Sequence, residues 1–272
     1  MIPISVIVMT KNEAANLPHC LPPLIKNFND VHVVDSDSTD NTTSIARDHG
    51  ATVTHFKWNG QYPKKKQWCL DTIKTHHDWV LMIDADEIIT DAFVAELQNF
   101  GTSADGYFVR SDMVWKDRHL HHGQKNNKLC LFKKSSFTYP VINDLNMSGG
   151  WEVEGHYQPI ATTTHTPHIQ QITSPIIHHD RKQQWHDRHD NYVMWEAEMT
   201  KKGTWPRDPV FTRESIKDVL RTSRLRPFIY FIYSYVIKCG FLDGKMGFDY
   251  ALNRYRYNAR IAHAIRRTNV SR

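Results

Sequence analysis

The first hundred residues alternate short apolar runs with stretches of helical periodicity. Ile4 to Val8 is largely β-branched and suits a strand buried on both faces. Leu17, Leu21 and Leu24 then recur at helical spacing, and Pro22-Pro23 is expected to end that helix early. Val31 to Val34 predicts a second strand, and Asp40 is placed to cap a helix that stops at Gly50. Ala51 to Phe56 predicts a third strand, residues 65–75 a helix, and Trp79 to Ile83 a fourth strand. This alternation predicts an α/β fold, a Rossmann-like, mostly parallel sheet with helices on both faces. Ligands of such sheets bind beyond the carboxyl ends of the strands.

Polar residues gather at those ends. Thr10, Asn12 and Glu13 follow the first strand, Asp35 and Asp37 the second, and Asp84-Ala85-Asp86-Glu87 the fourth. In Asp84-Ala85-Asp86 the alternate positions of an extended chain bring two carboxylates to one side, about 6–7 Å apart. Two such groups can share a hard divalent cation that also binds phosphate oxygens. A plain strand-ending turn is the competing reading of so short a motif. Lys64-Lys65-Lys66 stands ahead of a helix, where Lys65 is a candidate phosphate contact.

Composition narrows the class. With 40% hydrophobic and 23% charged residues in 272, the chain has the makings of a folded globular protein. Cys20, Cys69, Cys130 and Cys239 lie far apart, which fits neither a zinc module nor a dense disulfide framework. The apolar N-terminus lacks a basic flank and is expected to be a strand, not a secretory signal. The net charge of +5 is divided unevenly: residues 201–272 carry +11 and residues 1–200 carry −6. An acidic body with a basic tail pairs a cation-handling site with a surface for phosphate-rich matter.

Three segments together resemble a known family. Thr10-Lys11-Asn12-Glu13, Val34 to Asp40 (VDSDSTD) and Trp79 to Glu87 (WVLMIDADE) are similar to the family 2 glycosyltransferases of the GT-A fold. Within it they resemble the branch that includes lipopolysaccharide core β-1,4-glucosyltransferases. The resemblance covers residues 1–100. It implies that Thr10, Asn12, Glu13 and Asp35 hold the nucleoside. Asp84 and Asp86 would flank a sugar diphosphate and its Mn²⁺ or Mg²⁺, which helps a charged diphosphate leave. The division expected on this basis is a catalytic domain over 1–204 and a basic helical tail over 205–272. The catalytic domain would hold a nucleotide-sugar half (1–105) and an acceptor half (106–204).

Inverting transfer needs a base to take the acceptor hydroxyl's proton. The family often carries it in a His-Glu pair, and this chain departs from that. Trp151 to Tyr157 (WEVEGHY) offers Glu154, beside a flexible glycine, with Glu152 as the alternative. Family members often have a histidine at the end of this segment, near the metal or diphosphate; His178 or His179 fits that place, and His179 is carried as the candidate. His186 and His189, spaced HxxH, can lie on one helix face as zinc ligands, although no third ligand follows at a familiar spacing.

The tail holds the chain's longest apolar run, Phe228 to Ile237, broken only by Ser234. As a helix it spans roughly 15 Å, half the hydrocarbon thickness, so no crossing of a membrane is expected and the run must be buried in protein or lipid. Gly240 to Gly244 (GFLDG) resembles an element near the C-terminus of the same glucosyltransferase branch. Phe248, Leu252, Tyr255, Ala259, Ala262 and Ile265 then recur at helical spacing beside Arg254, Arg256, Arg260, Arg266 and Arg267. That predicts an interfacial helix drawn to anionic lipid, or a helix packed on the catalytic domain with its arginines in water.

The resulting expectation is an inverting, metal-dependent transferase. It would carry a sugar from a UDP-linked donor to a lipid-linked saccharide at the cytoplasmic face of a bacterial inner membrane, in lipopolysaccharide or other envelope polysaccharide synthesis. No nucleic-acid motif is present, and an acidic body repels a duplex. The alternatives are a nucleotidyltransferase, whose Gly-rich basic loop is missing after the first strand, and a non-enzymatic module binding membrane or metal.

Overall fold

The computed structural model describes residues 1–147, 152–155, 157–162, 166–179 and 185–267, without the side chains of 185–189. The chain forms two compact units that interleave along it. The first comprises Met1–Asp112, Asn126–Tyr139 and Pro159–Lys182; the second comprises Met113–Lys125, Pro140–Gln158 and Gln183–Arg272. The division expected at 204/205 therefore falls inside the second unit.

The first unit is built on β1 (Ser5–Thr10), β2 (Val31–Asp35), β3 (Thr52–His55) and β4 (Trp79–Asp84), in the order β3-β2-β1-β4 and all parallel. Nearly every residue of β1, β2 and β4 is buried, as central parallel strands require. Val6, Val8, Val33, Leu81 and Ile83 face a core shared with α1 (Leu17–Asn27), α2 (Thr42–Asp48) and α4 (Asp91–Leu97). α3 (Lys65–Thr72) is tied to the other face: Gln67 Oε1 accepts from Thr138 and Tyr139, and the Tyr139 hydroxyl reaches Met82 Sδ at 3.9 Å. Helices thus cover both faces, as the pattern predicts.

α1 does not stop at Pro22-Pro23 but runs to Asn27. Pro18 stands in the first turn, where its missing N–H costs nothing. Fully buried Leu17, Leu21 and Leu24 compensate for the bonds lost at Pro22 and Pro23, each such side chain contributing about 1.5–3 kcal/mol.

Beyond β5 (Glu87–Ile88), the loosely patterned region supplies the rest of the sheet. β6 (Gly106–Trp115) and β8 (Asn126–Lys133) are antiparallel, β8 pairs with β4, and the order continues β4-β8-β6-β12-β5. β7 (Arg118–His119) turns back on the end of β6, β9 (Phe137–Thr138) pairs with β10 (Ile160–Ala161), and β11 (Ile169–Gln171) runs parallel to β6. β12 (Ile176–His178) pairs with β5.

In the second unit, α5 (Trp185–Lys202) packs on the long α8 (Gly244–Arg267) through Val193, Tyr257 and Ile261. Between them lie α6 (Phe211–Thr222), α7 (Arg226–Ile232), a wide turn of helix over Tyr233–Ile237, and a tight 3₁₀ turn over Gly240–Asp243. The last of these is the GFLDG element, and its work is structural. Asp243 accepts backbone N–H groups from His121 and His122 at 3.2 and 2.8 Å. A Cβ on Gly240 would lie 2.7 Å from the Ser234 carbonyl oxygen, and one on Gly247 only 1.9 Å from that of Gly240. No helix among the described residues is long and apolar enough to cross a membrane.

This close approach sets an expectation. Gly247→Ala should cost more than about 2 kcal/mol in urea unfolding, while Lys245→Ala on the exposed side should stay within about 0.5 kcal/mol. Equal unfolding midpoints for the two would contradict the packing described.

Candidate functional site

Register brings the ends of three strands level. Thr10 pairs with Asp35 across β1 and β2, and Met9 pairs with Asp84 across β1 and β4. Asp35, fully buried, accepts from Thr10 Oγ1 at 2.9 Å and from the Ser38 backbone N–H at 2.9 Å. Asn12, at a positive φ of 54°, uses its Oδ1 to accept the Thr39 N–H at 2.7 Å. Glu13 accepts from Asn16 Nδ2 at 2.7 Å, and its own N–H donates to Thr42 Oγ1. Thr10, Asn12, Glu13 and Asp35 therefore stand together at one rim, as expected from the sequence.

Lys65 joins them from the inside. It is 1% exposed and donates from Nζ to the Thr10 carbonyl at 2.7 Å, so it fastens α3 to the end of β1. The charge of Lys66 acts on Asp84.

Asp84 and Asp86 are not equivalent. Asp84 ends β4 and accepts from Lys128 Nζ at 2.6 Å; the same ammonium lies 2.7 Å from Glu87 Oε1. Glu87, fully buried, also accepts the Asp84 N–H at 3.0 Å and Ser111 Oγ at 3.1 Å. Burial, the largest effect, would raise both carboxyls, but the Lys128 charge together with His178, and with Lys66 for Asp84, outweighs it and holds both below their ordinary range. Asp86 sits in the turn after β4 and has no such partner. Its Oδ1 is buried without a hydrogen bond, 3.5 Å from His178 Nδ1. Burial, reinforced by Asp84 and Glu87 against the opposing pull of His178, pushes the Asp86 carboxyl up to about 6. His178 Nδ1 also lies 3.9 Å from Glu87 Oε1. Burial would lower His178, but Asp86 and Glu87 overcome it and raise the imidazole to about 9.

A buried, unpaired carboxylate oxygen is a fit for a hard divalent cation whose remaining ligands are phosphate oxygens and water. Among the described residues no three His, Cys, Asp or Glu side chains are grouped to hold a metal ion by themselves. The donor set suits a cation that arrives with a diphosphate, with Asp86 as its protein ligand.

Of the two histidines the sequence offered, with His179 carried, it is His178 whose ring reaches Asp86 and Glu87. His179 meets the cluster through its backbone, donating N–H to the Asp86 carbonyl at 2.8 Å. A one-residue step on an extended strand reverses the face, and the hydrophobic pattern around His178-His179 did not fix that step. Lys128 and Glu87 were missed as well. Glu87 sat in view within DADE, but nothing in an isolated NNKLCLF run marks its lysine as the partner of an acid forty-four residues earlier.

In the second unit Glu154 is buried at 4% exposure and Glu152 is half-buried. Gly155 is there for space, since a Cβ on it would meet the Trp195 indole at 2.5 Å. Trp195 is fully buried and donates Nε1–H to Asp144 at 2.9 Å. Trp151 and His156, and the side chains of His186 and His189, lie outside the described residues.

The His178 pairing has a definite pH signature. An imidazole raised from 6.5 to about 9 adds stability that is complete below about 6.5 and is lost as pH climbs through 9. Asp86, with its carboxyl at about 6, is already ionised across most of that window. The wild-type protein should therefore lose up to roughly 3 kcal/mol between pH 6.5 and 9, and His178→Gln should lose much less. Parallel stability–pH curves from urea unfolding would refute the pairing.

Comparison with known proteins bears on this rim directly. Residues 5–145 match the model of a family described as glycosyl transferase family 2. An uncharacterized glycosyltransferase of Rickettsia prowazekii is 38% identical over 104 residues, covering 37% of this chain and 33% of its own. One from Rickettsia felis is 36% identical over 98 residues, covering 35% and 32%. The chain spans about a third of the length of these curated relatives. A solved mannosyltransferase from Pyrobaculum calidifontis, in complex with GDP-Man and Mn²⁺, is similar over 97% of this chain and 86% of its own, with 14% identity and a TM-score of 0.51. That likeness is one of fold.

Proposed function

The chain belongs to glycosyl transferase family 2, and we propose that it moves a sugar from a UDP-linked donor to a hydroxyl of a lipid-linked saccharide, with inversion at the anomeric carbon. The observation that carries this reading is the rim itself, where Thr10, Asp35, Asp84 and Asp86 meet at the level carboxyl ends of β1, β2 and β4. Thr10, Asn12, Glu13 and Asp35 would bind the nucleoside. Asp86, with Asp84 beside it, would hold Mn²⁺ or Mg²⁺, which supplies charge neutralisation of the leaving diphosphate. The shared fold of a mannosyltransferase solved with GDP-Man and Mn²⁺ supports this assignment.

Lys128 keeps the Asp84 and Glu87 charges from repelling the diphosphate, and His178 does the same for Asp86 in the absence of a cation. Glu154 is assigned as the base that takes the acceptor hydroxyl's proton, with Glu152 as the alternative. A family match that covers the nucleotide half favours sugar transfer over nucleotidyl transfer. The GFLDG element supports membership of the lipopolysaccharide core glucosyltransferase branch. The +11 charge of residues 201–272 supports a peripheral position at the cytoplasmic face of a bacterial inner membrane.

Calorimetry with UDP, with and without Mn²⁺, tests the reading first. UDP binding that tightens with the metal and loses that gain in Asp86→Asn is expected. Absence of UDP binding under both conditions would sink the proposal. Glu154→Gln should lower transfer by at least about a hundredfold while leaving UDP affinity within about twofold; retained turnover would move the role to Glu152. A panel of nucleotide sugars, read by nucleotide release, then identifies the donor.

A further inference from the structure

α6 is folded inside out. Its polar side is the packed one: Glu214 and Asp208 are buried, at 8% and 7% exposure. Asp208 accepts from Lys217 Nζ at 2.5 Å and Arg213 Nε at 3.3 Å. Glu214 accepts the Asp208 N–H and Arg221 Nη1, both at 2.7 Å. The apolar side faces outward, with Phe211, Ile216 and Val219 at 83%, 62% and 70% exposure. An amphipathic helix packed on its own protein shows the opposite arrangement.

The next helical stretch repeats the inversion. Arg226 is buried, donating to Glu196 and Asn258 at 2.7 Å, and Ser234 is buried as well. Phe228, Ile229, Ile232, Tyr233, Val236 and Ile237 are all exposed, in adjacent pairs one helical turn apart. Phe241 and Leu242 carry the exposed apolar surface onto the 3₁₀ turn. The final helix joins it at Phe248, 44% exposed, but Tyr250, Ala251, Tyr257 and Ile261 are buried and α8 packs on α5. Of the stripe expected on α8, Phe248 is exposed and Leu252, Tyr255, Ala259, Ala262 and Ile265 are half-buried.

The geometry points to the outward face of residues 211–242 as the surface that docks on an anionic lipid bilayer. This rests on the membrane partner proposed above and assigns it to particular side chains. Charge selects this occupant. From 223 to 242 there is no Asp or Glu, while Arg224 and Lys238 are exposed beside the apolar residues and Lys245 follows. Lys238 Nζ lies 5.4 Å from the Tyr233 ring, a tyrosine–lysine pairing suited to the headgroup level. A second copy of the chain would set these same cations against one another. Anionic headgroups neutralise them while acyl chains cover Val219, Val236 and Ile237.

Co-sedimentation of the full chain with phosphatidylcholine vesicles, with and without phosphatidylglycerol, tests this. Wild-type protein should sediment with the anionic vesicles and be weakened by high salt. Val219→Ser combined with Ile237→Ser should lower partitioning at least about tenfold, with Arg256→Ser on α8 within about threefold and UDP affinity unchanged in both. No sedimentation of the wild type, unaltered sedimentation of the double variant, or a wild-type dimer that the double variant dissolves would each overturn the assignment. Vesicle binding without UDP binding would instead leave the surface standing and remove the transferase reading.

Discussion

Three carboxylates within four residues repel one another, and the Lys128 ammonium, with His178 beside Asp86, makes their cluster tenable. Lys128 stands 2.6 Å from Asp84 and 2.7 Å from Glu87, between strands that the sheet order sets side by side. Glu87 is fully buried, and a buried carboxylate without a partner costs several kcal/mol. With Lys128 in place Glu87 can instead serve the backbone: it accepts the Asp84 N–H and shapes the turn that carries Asp86. The same ammonium leaves Asp86 as the member of the trio with an unsatisfied oxygen. One antiparallel neighbour of β4 therefore decides which aspartate is available to a ligand.

That dependence explains what could be read from the residues and what could not. β1, β2 and β4 were legible because a strand buried on both faces is a continuous apolar run, and because the polar residues that end it are local. Thr10, Asn12, Glu13, Asp35, Asp84 and Asp86 lie at the ends of these strands, where ligands of such sheets meet them, and that placement was local in the sequence. β6 and β8 were not legible as part of the main sheet. β8 pairs with β4 across about fifty residues and β6 joins through β8, and their pattern is interrupted by Arg110, Lys128 and a register shift between Tyr107 and Phe108. Lys128 was hidden for the same reason. The choice between His178 and His179 depended on strand register, which two adjacent histidines cannot signal.

Proline and glycine misled in opposite directions. Pro22-Pro23 argues locally against a helix, yet tertiary burial of Leu21 and Leu24 carries α1 past them. Gly155 suggests freedom of the backbone, yet it marks contact with Trp195. In both cases the local propensity is real and the packing term is larger.

The tail shows the same competition resolved the other way. An apolar run as marked as Phe228 to Ile237 should drive its own burial, and within its unit it does not. The reason lies in what occupies the inner side. Arg226, Asp208 and Glu214 are fixed by charge-assisted hydrogen bonds of 2.7 Å or shorter. Rotating α6 or α7 to bury the apolar stripe would strand those charges, a cost of several kcal/mol for each broken pair. Burial of a single valine or isoleucine returns only about 1.5–3 kcal/mol. The ion pairs therefore hold the apolar side outward.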